Sequence, residues 1–142
     1  MAPDVFSPEQ RSEIMAKVRS QDTKPEVLVR SLIHRMGFRF RLHNKHLPGN
    51  PDIVLPRHKK IVFVHGCFWH QHEGCPHAAR PASNIAYWNK KLDGNVRRDK
   101  ANLEKLAALG WRVLVIWECE TRNREQLILR LQEFLINAET KT

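Results

Sequence analysis

The chain has 142 residues, 42% hydrophobic and 27% charged, an ordinary globular composition that excludes a chain disordered throughout and suffices for one domain with its own core. Twenty-four Lys and Arg against fifteen Asp and Glu leave a net charge of +9, with no basic tail to account for it, which points to a polyanionic partner, nucleic acid before others. No apolar run approaches the roughly 18–20 residues needed to span a bilayer, and residues 1–10 lack the apolar stretch of a secretory signal, so a cytoplasmic location is expected.

Ser7-Pro8-Glu9-Gln10 reads as a helix start, with Ser7 at the cap and Pro8 in the first turn, and the helix runs to about residue 20. Thr23-Lys24-Pro25-Glu26 is a second start. Its helix carries Leu28, Leu32 and Met36 on one stripe and stops at Gly37. Residues 38–42 alternate as a half-buried strand, 46–51 form a turn, and 52–55 and 60–65 are two further strands. Residues 66–83 show no periodicity and read as a long loop, which at that length calls for a function. Helices are expected over 84–92 and 95–109, broken around Gly94, with Gly110 as a stop. Residues 111–117 form an apolar strand expected at the centre of the sheet, and 121–138 a last helix. The order predicts an α/β sandwich: three antiparallel strands, then a fourth returning through a helical crossover to complete a small mixed sheet.

The loop concentrates chemistry. His65, Cys67, His70, His72, Cys75 and His77 fall close together, and the third cysteine, Cys119, lies far downstream. Three cysteines cannot all pair within one chain, so metal ligation is the better reading. Cys67, His72, Cys75 and Cys119 make three thiolates and one imidazole, the donor set of a structural Zn²⁺ site with no open position. His70 and His77 are the spare candidates. A zincin pattern fails on spacing, because His77 follows His72-Glu73 one residue too late. A deaminase pattern is absent as well.

Outside that set stand Asp52, at a strand start, and His65 and His70. A carboxylate beside two imidazoles suits metal-assisted phosphodiester hydrolysis, the carboxylate holding Mg²⁺ and a histidine handling the proton. Glu26 offers a second carboxylate, although a capping role would explain it equally. Phe68, Trp69 and Trp88 are large aromatics beside polar or basic neighbours. They either cover the zinc site or wedge between base steps.

The run Val64-His65-Gly66-Cys67-Phe68-Trp69-His70-Gln71-His72 resembles the very-short-patch-repair mismatch endonucleases of bacteria. Supporting matches are Asp22-Thr23 with Glu26, the segment from Leu47 to Asp52, Asn95-Val96 with Arg98-Asp99, and Leu109-Gly110-Trp111-Arg112-Val113 through Trp117-Glu118-Cys119. The resemblance implies a restriction-endonuclease-like core with structural zinc, in one endonuclease domain over residues 1–142. It implies a Mg²⁺-dependent nick 5′ to the thymine of a T:G mismatch, left when 5-methylcytosine deaminates. Asp52 matches the Mg²⁺-binding aspartate, with the Val64 backbone beside it, and His70 matches the essential histidine. His65 and Glu26 match further active-site positions. Phe68, Trp69 and Trp88 match an aromatic wedge, Met15 in the first helix a residue reaching the opposite groove, and Lys91 and Asn95 DNA-contacting positions. His65 stands where conventional restriction cores carry lysine. A single-strand cut needs one active centre, so a monomer suffices. The rival readings are a nuclease that needs no mismatch and a zinc-stapled DNA-binding module.

Overall fold

The computed structural model describes residues 22–136. The helix expected over 7–20, with Met15, lies outside the described residues. Helix α1 spans Lys24–Arg35, with the Thr23 hydroxyl accepting from the Glu26 amide. Strand β1 is Arg41–Leu42, β2 Ile53–Leu55 and β3 Lys60–His65. Helix α2 is Ile85–Ala108, β4 is Arg112–Trp117 and α3 is Arg124–Leu135. The sheet order is β1-β2-β3-β4, the first two pairings antiparallel and β3–β4 parallel. The expected mixed sheet with a helical crossover is therefore present.

Both faces of the sheet are covered. Val29, Leu32 and Ile33 of α1 meet Leu127, Leu131 and Leu135 of α3 over Ile53, Leu55, Val62 and Ile116. On the other face Leu106 of α2 packs on Val54, Ile61 and Phe63. Alternate residues of β2 and β3 thus feed opposite cores, which is why both strands read as continuous apolar runs. Each fully buried aliphatic side chain contributes about 1.5–3 kcal/mol to holding the layers together.

Two helix ends follow from glycine. At Gly37 (φ +90°) and Gly110 (φ +91°) the chain turns left-handed. Phe38 then donates to the Ile33 carbonyl and Trp111 to that of Leu106, closing two Schellman turns. Gly94 behaves differently. The structure has one helix through it, where the sequence predicts a break. Gly94 is buried within α2, and without a positive φ or a following proline a single glycine lowers helix stability by about 1 kcal/mol without ending it.

Three further expectations are corrected. Among the described residues β4 pairs with β3 alone, so it is an edge strand rather than a central one. It is apolar because helices cover both its faces, Val113 and Val115 packing toward α2 and Leu114 and Ile116 toward α1 and α3. Arg130 of α3 donates to the Val115 carbonyl at 3.1 Å, which blunts the open edge. Strand β1 is shorter than expected, its two residues exposed. Helix α3 begins after Asn123, whose side chain accepts from the Gln126 amide, and Glu118–Arg122 forms a 3-10 turn instead. One buried charge escaped the sequence reading: Lys60 is 1% exposed and donates to the Leu135 carbonyl at 3.0 Å. A cation at a helix C-terminus recovers part of its desolvation cost through the helix dipole and that hydrogen bond.

Candidate active site and metal cage

The β2–β3 hairpin and the parallel β3–β4 pairing set the geometry. Asp52 immediately precedes β2 and His65 ends β3, so both stand at the same end of the sheet. The Val64 amide donates to Asp52 Oδ2 at 2.8 Å. Burial, with Glu26 hydrogen-bonded close by, pushes the Asp52 carboxyl up to about 7, against the lowering effect of the Val64 bond. Glu26, 2% exposed, projects from the first turn of α1. Its Oε2 accepts from the Asp22 amide at 2.9 Å and from Arg30 at 3.2 Å, and faces His43 Nε2 at 3.3 Å. The carboxylate expected to close a capping box on Thr23 thus reaches one residue further back. The Asp52 carboxyl lines a cleft with Glu26 buried behind it, and a hard divalent cation there would compensate charge that otherwise has to be protonated.

After β3 the chain turns back on itself, the His70 amide donating to the Gly66 carbonyl at 3.1 Å. This lays the His70 ring over His65, centroids 3.8 Å apart and planes within 8°. Burial, followed by the charge of His70, pulls His65 down to about 3, so it is neutral at physiological pH. His70 Nδ1 meets Asp99 Oδ2 of α2 at 2.6 Å. A carboxylate accepts, so Nδ1 carries the proton and Nε2 is the basic nitrogen. Asp52, Val64, His65, His70 and Asp99 all line one cleft of about 610 Å³.

The cage forms beside the cleft. The register aligns His65 with Trp117, so Cys67 and Cys119, each two residues beyond, emerge together. His72 and Cys75 come from the loop between, and the four donor atoms lie within 4.8 Å of one another. His72 Nδ1 is 3.7 Å from Cys67 Sγ and 3.4 Å from Cys119 Sγ. Tetrahedral zinc with bonds of roughly 2.3 Å to sulfur and 2.0–2.1 Å to nitrogen wants such donors about 3.6 Å apart, so the geometry fits that ion. Burial pushes the Cys67 thiol up to about 12, and a bound cation would reverse that shift. The His72 ring stacks on Trp117 at 4.2 Å. The spare candidates are engaged elsewhere, His70 with Asp99 and His77 with Arg122 at 2.9 Å.

Trp69 and Trp88 are buried against each other and Leu92, with Phe68 half-buried beside them. Asn95 donates to the Trp69 carbonyl at 3.0 Å, and Lys91 lies half-buried on the same helix. The sequence reading assigned no role to Asp99, His43 or Arg30. The signal for Asp99 was available: Leu92, Asn95, Asp99, Asn102, Leu103 and Leu106 follow one helical stripe, and polar residues interrupting an apolar stripe mark a face turned toward a site.

A family model described as DNA mismatch endonuclease Vsr matches residues 3–76. The chain is 50% identical over 132 residues to the type II nicking enzyme V.XorIIP of Xanthomonas oryzae pv. oryzae, covering 93% of this chain and 96% of that one. It is 40% identical over 124 residues to the DNA mismatch endonuclease Vsr of Escherichia coli K12, covering 87% and 79%. The solved catalytic domain of homing endonuclease I-Bth0305I superposes with a TM-score of 0.58 at 23% identity, covering 82% of this chain and 97% of that domain. The fold is thus restriction-endonuclease-like. Among the described residues no helix is long and apolar enough to cross a membrane.

Proposed function

Because the chain belongs to the Vsr family of DNA mismatch endonucleases, we propose that it nicks one strand of duplex DNA 5′ to the thymine of a T:G mismatch. That lesion arises by deamination of 5-methylcytosine. The chain is a DNA endonuclease. The observation that carries the proposal is the His70–Asp99 contact of 2.6 Å in the same cleft as Asp52.

Asp52, with the Val64 backbone, would hold Mg²⁺, which when bound would neutralise charge on the scissile phosphate. Asp99 holds the His70 ring with its proton on Nδ1. His70 Nε2 then takes a proton from the attacking water as the water oxygen bonds to phosphorus, and the bond to the 3′ oxygen breaks, that oxygen taking a proton from solvent, leaving 5′-phosphate and 3′-hydroxyl ends. His65, neutral and stacked on His70, keeps that ring in place without competing for the proton. Glu26 orients Asp52. Cys67, His72, Cys75 and Cys119 would hold a structural Zn²⁺ that fixes the loop and takes no part in the chemistry.

The net charge of +9 collects the duplex with salt-dependent affinity. Phe68 is half-buried in its cluster with the buried Trp69 and Trp88; backed by those two rings, and with Met15 from the opposite groove, it would open the stack where a mismatch makes unstacking cheapest. Lys91 and Asn95 contact the DNA. One domain over residues 1–142, acting as a monomer in the bacterial cytoplasm, suffices for a single cut.

The test is a labelled duplex with one T:G pair beside its fully paired control, each with Mg²⁺. A Mg²⁺-dependent nick confined to the T:G duplex is expected, and equal cutting of both would overturn mismatch specificity. Asp52→Ala should lower the nicking rate by at least about 10³-fold while DNA binding and zinc content persist.

A further inference from the structure

The loop that carries Phe68 and Trp69 is tied to α2 by contacts separate from the cage donors. Arg80, near the loop's end, spends all three guanidinium nitrogens. Nε donates to Gln71 Oε1 at 2.9 Å, Nη1 to Asn89 Oδ1 at 2.7 Å and Nη2 to Asp93 Oδ1 at 2.7 Å. Asn89 and Asp93 are four residues apart on α2, on one face. They directly follow Trp88 and Leu92, the two α2 residues that receive the aromatic rings. Gln71 completes the network, its amide donating to the Phe68 carbonyl at 2.7 Å and the Ala78 carbonyl at 3.1 Å. Gln71 holds a left-handed backbone, φ +51°, costly for a non-glycine residue and sustained where surrounding contacts enforce it.

We propose that Arg80 is a positioning residue for mismatch recognition, clamping the Phe68-Trp69 segment to α2 through Gln71 so that the rings are presented in one geometry. Arg80 touches no reacting atom. All three of its nitrogens already serve acceptors within the protein, two N–H groups remaining of the five, so its planar fork is oriented by the loop and α2 rather than left free as on a phosphate-binding surface. Lysine cannot replace it, because a single ammonium does not span the acceptors on Gln71, Asn89 and Asp93. The inference rests on the mismatch reading above, and its test keeps the two apart.

The probe is 2-aminopurine placed next to the T:G pair, whose fluorescence rises on unstacking, with a paired duplex as control. Wild-type protein should brighten the T:G duplex alone. Arg80→Ala should lose most of that rise and nick about tenfold more slowly, with affinity for the paired duplex and zinc content unchanged. Arg80→Lys should fall with Arg80→Ala, and the amides of residues 70–72 should exchange faster in both. Three results overturn the inference. The first is a full fluorescence response in Arg80→Ala. The second is equal loss of affinity for both duplexes with a salt slope reduced by about one, which would make Arg80 a phosphate contact. The third is unchanged amide exchange. A wild-type protein that brightens neither duplex would instead overturn the mismatch reading, and this inference with it.

Discussion

His70 and His72 are two residues apart in one loop and serve two different sites. His70 presents Nδ1 to the carboxylate of Asp99, and His72 presents the same nitrogen to the sulfurs of Cys67 and Cys119. Each ring is held flat by an aromatic neighbour, His65 for one and Trp117 for the other. The side chain and its packing are alike, so the partner atoms decide the chemistry. Oxygen donors make a hard, half-buried cleft in which a proton can move. Sulfur donors make a closed cage in which nothing needs to move. The scaffold serves both at once, since β3 and β4 end level and deliver the cleft on one side and the cage on the other.

The largest effect should come from dismantling the cage. Cys119→Ser should release bound zinc, measured by metal analysis. It should destabilise the protein by several kcal/mol, since structural zinc in small peptides contributes roughly 10–16 kcal/mol. A variant that keeps its zinc and melting temperature would refute the cage.

The cleft should break without disturbing the cage. Asp99→Asn should slow nicking about 10²-fold, with zinc content and melting temperature nearly unchanged. The amide can turn either its oxygen or its NH2 toward Nδ1, so the proton on that nitrogen is no longer fixed. Nicking by Asp99→Asn at the wild-type rate would mean that Asp99 does not act through His70.

A smaller effect separates the two sides of the cleft by pH. His65 is held down to about 3 from 6.5, so the unfolded chain takes up a proton that the folded chain refuses, and stability falls as pH drops through 6.5. Asp52 is raised to about 7 from 3.8, so the folded chain keeps a proton that the unfolded chain has lost, and stability falls as pH rises from 3.8. Between 3.8 and 6.5 the two slopes oppose each other. Asp52→Asn removes one, so relative to wild type its stability should gain roughly 1.4 kcal/mol per pH unit across this window. Denaturant titrations with zinc retained and no Mg²⁺ added measure the difference, and parallel curves would count against it. The smallest effect is expected at His77, which meets Arg122. His77→Ala should leave zinc content and nicking within about twofold of wild type, whereas His72→Ala should lose the metal.

Local signals carried much of the outcome. Apolar alternation and runs marked the strands, and Gly37 and Gly110 marked two helix ends, because those features act within a few residues. The donors Cys67, His72 and Cys75 were legible for the same reason, lying close together within one loop, and cysteine chemistry singled out Cys119. Asp52, His65 and His70 stood out because titratable groups clustered around a strand end and its loop are hard to explain as core. Other features depended on where elements settle against one another. Gly94 reads as a break in isolation, but packing along α2 carries the helix through it. The apolar run of β4 fits a central strand and an edge strand covered on both faces equally well, and only the packed helices decide between them. The Asp99 contact spans 29 residues, and the approach of His43 to Glu26 brings the end of β1 to α1. Sequence determined the elements and the donor atoms, which are properties of short segments. Tertiary structure alone decided which donors meet, because a contact between distant residues is set by how helices and strands pack.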